Sequence, residues 1–139
     1  MDNTKKKGNK AEAVVLSEFV KRGFPVLIPF GDNEKYDLVV EINGTFKSIQ
    51  VKKGVSRNGC LIADLRYKIG IKRIKSEKYF GKVDLIAIWC EENGKVYLLD
   101  LKKFGNKTFA NLRLEKPKTN YLISTIVWAE KYEIDNFLK

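Results

Sequence analysis

The chain has 139 residues, a length that suits one domain and leaves little room for a second independent core. Its apolar share of 44% excludes intrinsic disorder, and no apolar run is long enough to predict a membrane span or a secretory signal. A net charge of +10 and a pI near 9.6 point to a polyanionic partner. Nucleic acid is favoured over membrane, because no basic amphipathic segment carries a Trp/Phe/Leu face. An intracellular, cytoplasmic protein is expected, associated with the nucleoid when bound to DNA. There is no histidine, and Cys60 and Cys90 lie far apart in the chain. Cys/His zinc sites and Ser-His or Cys-His nucleophile pairs are therefore excluded. Carboxylate, amide and lysine chemistry remains, which suits hard cations.

Residues 1–7 read as a flexible basic N-terminus. Apolar spacing predicts a helix over residues 9–22, with Ala11, Val14, Val15, Leu16, Phe19 and Val20 on one face and Gly23 as its left-handed cap. Residues 24–29 read as an edge strand, since Pro25 and Pro29 cannot donate ladder bonds. Residues 36–42 and 45–53 are strand-like runs joined by Asn43-Gly44, the strongest short hairpin signal. Residues 54–59 read as a loop and 61–65 as a strand, while 66–82 is ambiguous. Residues 83–90 form a continuous apolar run, as a strand buried on both faces does. A turn at 91–94 leads to a returning strand at 95–101, and residues 120–132 have helical spacing. The pattern as a whole is that of an α/β protein.

The Asn43-Gly44 turn fixes a register. If Ile42 faces Thr45, then Asp37 faces Gln50, and Lys52 shares their face by the period of two. Leu38, Val40, Ile42, Ile49 and Val51 fall on the other face, as core material. Glu12 lies near the middle of the helix's apolar stripe, where an unpaired carboxylate is costly. It either snorkels or pairs with a nearby lysine, or it reaches a cation also held by Asp37.

Gly8-Asn-Lys-Ala-Glu12, Tyr36-Asp37-Leu-Val-Val and Ile49-Gln50-Val-Lys52-Lys53, in this order, resemble the PD-(D/E)XK nuclease superfamily. The resemblance is closest to the branch of intron-encoded homing endonucleases and archaeal Holliday junction resolvases. It spans residues 8–53, with a weaker echo in Val83-Asp-Leu-Ile-Ala-Ile-Trp. It implies a restriction-endonuclease-like αβββαβ core with a central mixed sheet flanked by helices. It also implies a catalytic set of Glu12, Asp37, Gln50 and Lys52. Magnesium, with manganese as a substitute, would be held by Asp37, Gln50, the Val51 carbonyl and Glu12. Lys52 would orient a water or stabilise charge on the phosphate. Two positions depart from the pattern: Tyr36 replaces the proline, and Gln50 replaces the second carboxylate. An amide oxygen can ligate a hard cation but adds no charge.

The implied activity is a metal-dependent DNA endonuclease of homing or restriction-like kind. A Holliday junction resolvase and a catalytically inactive DNA-binding protein of the same fold are the alternatives. The partner would be double-stranded or branched DNA. A homo-oligomer, dimer or tetramer, is expected because cutting two strands needs two active sites. Candidate DNA contacts are Lys5, Lys6, Lys7 and Lys10 before the helix, Lys53 and Arg57 after the catalytic strand, and Arg66, Tyr67, Lys68, Lys72, Arg73 and Lys75 beyond. Trp89 and Trp128 sit in apolar runs and read as core.

Overall fold

The computed structural model describes residues 3–31, 33–118 and 125–139. The first element, α1 (Asn3–Lys21), starts at Asn3 and not at residue 9. Lysine is a good helix former, and no proline interrupts the run from Lys5 to Lys10. Ala11, Val15 and Phe19 are buried, whereas Val20 points outward, so the apolar stripe is narrower than the spacing predicts. The helix ends in a Schellman motif at Gly23 (φ 84°): Phe24 N–H reaches the Phe19 carbonyl (3.1 Å) and Gly23 N–H that of Val20 (3.0 Å). The Phe24 ring meets Phe19 edge-on at 6.1 Å, the apolar contact that accompanies this cap.

A short edge strand, β1 (Val26–Leu27), pairs antiparallel with β2 (Leu38–Ile42), and β2 turns into β3 (Thr45–Lys53). Asn43 (φ 51°) and Gly44 (φ 78°) form the expected turn, and the register runs as computed from Ile42↔Thr45 to Leu38↔Ile49. The ladder stops there. Asp37 N–H donates to the Ile49 carbonyl (2.8 Å), so Asp37 is not the ladder partner of Gln50 that a continued register requires.

The segment 54–84 departs most from expectation. The resemblance implies a helix between the third strand and the next, and residues 54–59 read as a loop. The chain instead forms β4 (Val55–Arg57), then β5 (Cys60–Asp64) where a strand is expected, then β6 (Arg66–Ile69) and β7 (Lys75–Lys78). Asn58 (φ 52°) and Gly59 (φ 76°) repeat the turn chemistry of Asn43-Gly44, with Arg57↔Cys60 as the flanking pair. After this excursion, β8 (Leu85–Trp89) returns parallel to β3 and pairs antiparallel with β9 (Val96–Asp100). The short α2 (Leu101–Phe104) follows, its Lys102 N–H capped by the Asp100 carboxylate at 3.0 Å. Then come β10 (Phe109–Arg113) and α3 (Ile134–Phe137).

Within the helix expected over 120–132, residues 120–124 lie outside the described residues. The described part holds no α-helix but a 3-10 turn, Ala129–Tyr132. Trp128 is extended and bridges Arg113, and the Val127 carbonyl accepts the Arg113 N–H (2.7 Å). Bonding to β10 thus satisfies the backbone that a helix would have satisfied internally.

The central five-stranded mixed sheet has the order β1-β2-β3-β8-β9, and a second sheet has the order β10-β5-β4. Alternate residues of β8 serve two cores. Leu85, Ala87 and Trp89 pack with Val15, Phe19, Leu38, Val40, Ile49 and Val51 on the α1 side. Ile86 and Ile88 pack with Leu61, Ala63, Leu65, Ala110 and Leu112 on the other. Burial on both faces is why this strand has no polar alternation, and it places Trp89 in the core as expected. The molecule is thus an α/β fold in which the long helix covers one face of the central sheet and β-strands cover the other. Among the described residues, no helix is long and apolar enough to cross a membrane.

Gly54 sits at the corner where β3 leaves the central sheet, its N–H bonded to the Trp89 carbonyl (2.8 Å). A Cβ there would stand 2.4 Å from Leu61 Cδ1 and 2.8 Å from Ile88 Cγ2. Gly54→Ala is therefore expected to lower stability by about 1–3 kcal/mol, the usual cost of overpacking. The check is a shift of the urea midpoint at unchanged slope.

Candidate active site

Asp37 is held where β2 begins. Its backbone N–H is bonded to Ile49, and its Oδ2 accepts the Val51 N–H at 2.9 Å. The carboxylate is thereby locked onto the strand that carries Gln50, Val51 and Lys52. Gln50 turns its Nε2 to the Val51 carbonyl (3.2 Å), and its Oε1 accepts from no described residue. The two neutral oxygens that the resemblance implies as ligands are thus brought together. The Val51 carbonyl already holds one hydrogen bond, leaving its second lone pair for a cation.

Glu12 comes from α1, on the sheet face that also buries Val51. It is half-buried and has no hydrogen bond or ion pair to any described residue. Lys52 lies on the opposite face of the sheet, its Nζ 4.9 Å from the centre of the Tyr79 ring. Burial, and then the nearby charge of Asp37, push the Glu12 carboxyl above its ordinary range. Burial likewise raises Asp37, against the Val51 N–H and Lys52, which lower it. Burial depresses Lys52, against the opposing pull of Asp64 and Asp37. Asp37, placed just before β2 by its bonds to Ile49 and Val51, bears on both Glu12 and Lys52.

Two contributors escaped the sequence reading. Tyr79 is buried beneath Lys52, and burial followed by the charge of Asp37 pushes its hydroxyl up to about 12. A neutral phenol ring under Lys52 is therefore the only form available near neutrality. Asp64 ends β5 and takes Arg66 through both carboxylate oxygens, at 3.0 and 3.2 Å. Neither could be found from spacing, because both reach Lys52 only through the folding of segment 54–84.

Among the described residues, no group of three or more His, Cys, Asp or Glu side chains is placed to hold a metal. A cation here would have two carboxylates at most, completed by the Gln50 amide and the Val51 carbonyl. That donor set is all hard oxygen. It fits magnesium or manganese, which keep several waters and need few protein ligands. A half-buried Glu12, raised by burial and then by the charge of Asp37, is the electrostatic counterpart of such a site.

The sequence profile of the PD-(D/E)XK endonuclease family matches residues 2–135. The chain belongs to the PD-(D/E)XK endonuclease family. Its fold agrees with this membership: the solved structure of a bacterial homing endonuclease, I-Ssp6803I, superposes with a TM-score of 0.78 at 23% identity, covering 99% of this chain and 93% of that one. No curated protein matches the chain in sequence.

The basic candidates of this family member divide into two groups. Lys5, Lys6, Lys7 and Lys10 lie exposed along the start of α1, and Lys7 lines a shallow cleft with Lys53, Gly54, Glu91 and Glu92. Lys10 and Lys53 are not independent cations: each is 3.3 Å from a carboxylate oxygen of Glu91. Arg57 is exposed on β4. In the second group, Arg66 is engaged by Asp64, and the Tyr67 hydroxyl donates to Glu77 (2.8 Å). Lys68, Lys72, Arg73 and Lys75 are exposed on or beside the β6–β7 ribbon.

Because its folded-state pKa is raised, ionised Glu12 opposes folding near neutrality, and that penalty fades as pH falls through the raised value. Without divalent metal, Glu12→Gln is expected to raise the thermal midpoint at pH 7 by roughly 3–5 °C per ~1 kcal/mol relieved. The difference from wild type should narrow on acidification. Magnesium should raise the wild-type midpoint more than that of the variant. Scanning calorimetry in EDTA and in magnesium checks all three.

Proposed function

We propose that this family member is a magnesium-dependent DNA endonuclease of homing or restriction-like kind, acting as a homo-oligomer of single-domain chains. The observation that supports it is the bond locking the Asp37 carboxylate onto the Val51 N–H, on the strand that carries Gln50 and Lys52, with Glu12 and Lys52 both responding to the Asp37 charge. Asp37 is the principal ligand, pre-oriented by the Val51 N–H. Glu12 adds the second negative charge, and Gln50 and Val51 add neutral oxygens. When held there, the cation supplies Lewis-acid charge at the scissile phosphate.

Lys52 does what a half-buried ammonium beside a phosphate does best: it stabilises negative charge as that charge develops. Tyr79 gives its Nζ a ring face to rest on, and the charges of Asp64 and Asp37 oppose the cost of burying the ammonium. Gln50 in place of a carboxylate leaves the site with less negative charge. This weakens its hold on a cation and makes Glu12 more important than it would be beside a third acid. The lysines and arginines position the DNA through its phosphates.

The test is cleavage of plasmid, linear and four-way-junction DNA with magnesium, manganese or EDTA. Asp37→Ala and Lys52→Ala are expected to abolish metal-dependent cutting while leaving binding in EDTA within a few-fold. Preference for the junction would replace the homing-type reading with a resolvase. Tight binding with no cutting across a genomic DNA library would make this an inactive DNA-binding protein. Removing the shared acid should act in the opposite sense. Glu91→Gln frees Lys10 and Lys53, so DNA affinity should rise and the salt dependence steepen, by up to about 0.9 in log–log slope for each phosphate newly contacted.

A further inference from the structure

The β6–β7 ribbon carries a feature that phosphate binding does not use. Residues 66–78 include six basic side chains and one acidic, and that acid, Glu77, is taken up by Tyr67. At the tip, Gly70 (φ 85°) and the Arg73 N–H bonded to the Gly70 carbonyl (3.2 Å) form a tight turn. Ile71 within this turn is 104% exposed and Ile74 just after it 81%, next to the exposed Lys72, Arg73 and Lys75. Two isoleucines held fully in water at the end of a cationic arm are matched by a partner that is anionic outside and apolar within.

The base of the arm is fixed to the candidate active site. Arg66 is clamped by Asp64, and the Tyr67 ring packs on Tyr79 at 5.0 Å, the ring that underlies Lys52. Tyr79 N–H continues the ladder to the Leu65 carbonyl (2.9 Å). Four paired residues at about 3.3 Å each give an arm of about 13 Å, longer than the major groove is deep, about 8.5 Å. That groove, about 12 Å wide, admits a two-stranded ribbon, whereas the minor groove at about 6 Å does not unless it is opened.

We propose that the β6–β7 ribbon enters the major groove of duplex DNA, its flanking cations on the phosphates and Ile71 and Ile74 against thymine methyl groups. The ribbon then reads bases at a fixed distance from the phosphate that Lys52 faces. This rests on the endonuclease reading and adds to it a specificity element and a groove.

The experiment is selection from a pool of random-sequence duplexes in EDTA by the wild type and by the Ile71→Ala/Ile74→Ala double variant. The selected duplex is then remade with deoxyuridine for thymidine. The wild type is expected to select thymine at one or more positions and to lose about fourfold in affinity for each contacted methyl removed, the factor given by burying one methyl group's apolar surface. The double variant should bind the thymine and uracil duplexes equally. It should keep the wild-type thermal midpoint and salt slope, since neither isoleucine touches phosphate. A wild type without thymine preference, or a double variant that retains it, overturns the assignment. So does a double variant that dissociates an oligomer while its base preference is unchanged. If the wild type binds and cuts DNA in any of these cases, the endonuclease reading stands alone. If it binds no duplex, both fall.

Discussion

The hydrogen bond from the Val51 N–H to the Asp37 carboxylate joins the start of β2 to the part of β3 that carries the site. Without it, an acid at the end of a hairpin would be a solvated side chain of no particular direction. With it, the carboxylate is fixed, partly desolvated and close enough to Glu12 and Lys52 for each to respond to its charge. The bond depends in turn on the Asn43-Gly44 turn, because a one-residue slip would send Val51 to the other face. It also depends on Val51 being anchored in the core beside α1, which brings Glu12 to the same place.

Charge is divided with some economy in this molecule of net charge +10. Three of its 17 acids bear on the basic residues around the candidate site. Asp37 and Asp64 bear on Lys52, Asp64 also holds Arg66, and Glu91 spans Lys10 and Lys53. Lys5, Lys6 and Lys7 at the start of α1 and Lys68, Lys72 and Lys75 on or beside the β6–β7 ribbon are exposed and form no ion pair with a described residue. An outer surface that attracts polyanions therefore surrounds a centre whose own balance is set by close, partly buried contacts, which salt screens far less.

What the sequence made legible was local. The Schellman cap at Gly23, the hairpin at Asn43-Gly44 and the doubly buried β8 each follow from chemistry within a few residues. The register of β2 and β3 followed from the turn until the ladder ended at Leu38, one residue short of the acid that matters. The side-chain bond to Val51 took over from ladder pairing there, and no periodicity announces such a switch. The second Asn-Gly, at Asn58-Gly59, carries the same hairpin signal, but its flanking residues lack the apolar alternation that marks β2 and β3 as strands. The Lys52 surroundings could not be read at all, because Tyr79 and Asp64 reach it through long-range packing. The expected helix over 120–132 failed within residues 125–132 for a related reason: pairing of Val127 with Arg113 outweighed helical spacing.

The parallel pairing of β3 with β8 also has a kinetic meaning. The β2–β3 hairpin closes over two residues and can form in microseconds, but β8 joins β3 only after the whole of segment 54–84 has been traversed. During that interval β3, which carries Phe46, Ile49 and Val51, is an open edge able to template pairing with another chain. Lys47, Lys52 and Lys53 lie on this same strand. Like charges aligned along a bare edge repel a second copy. The lysine beside Asp37 thus guards the nascent strand against aggregation before the site it belongs to has been assembled.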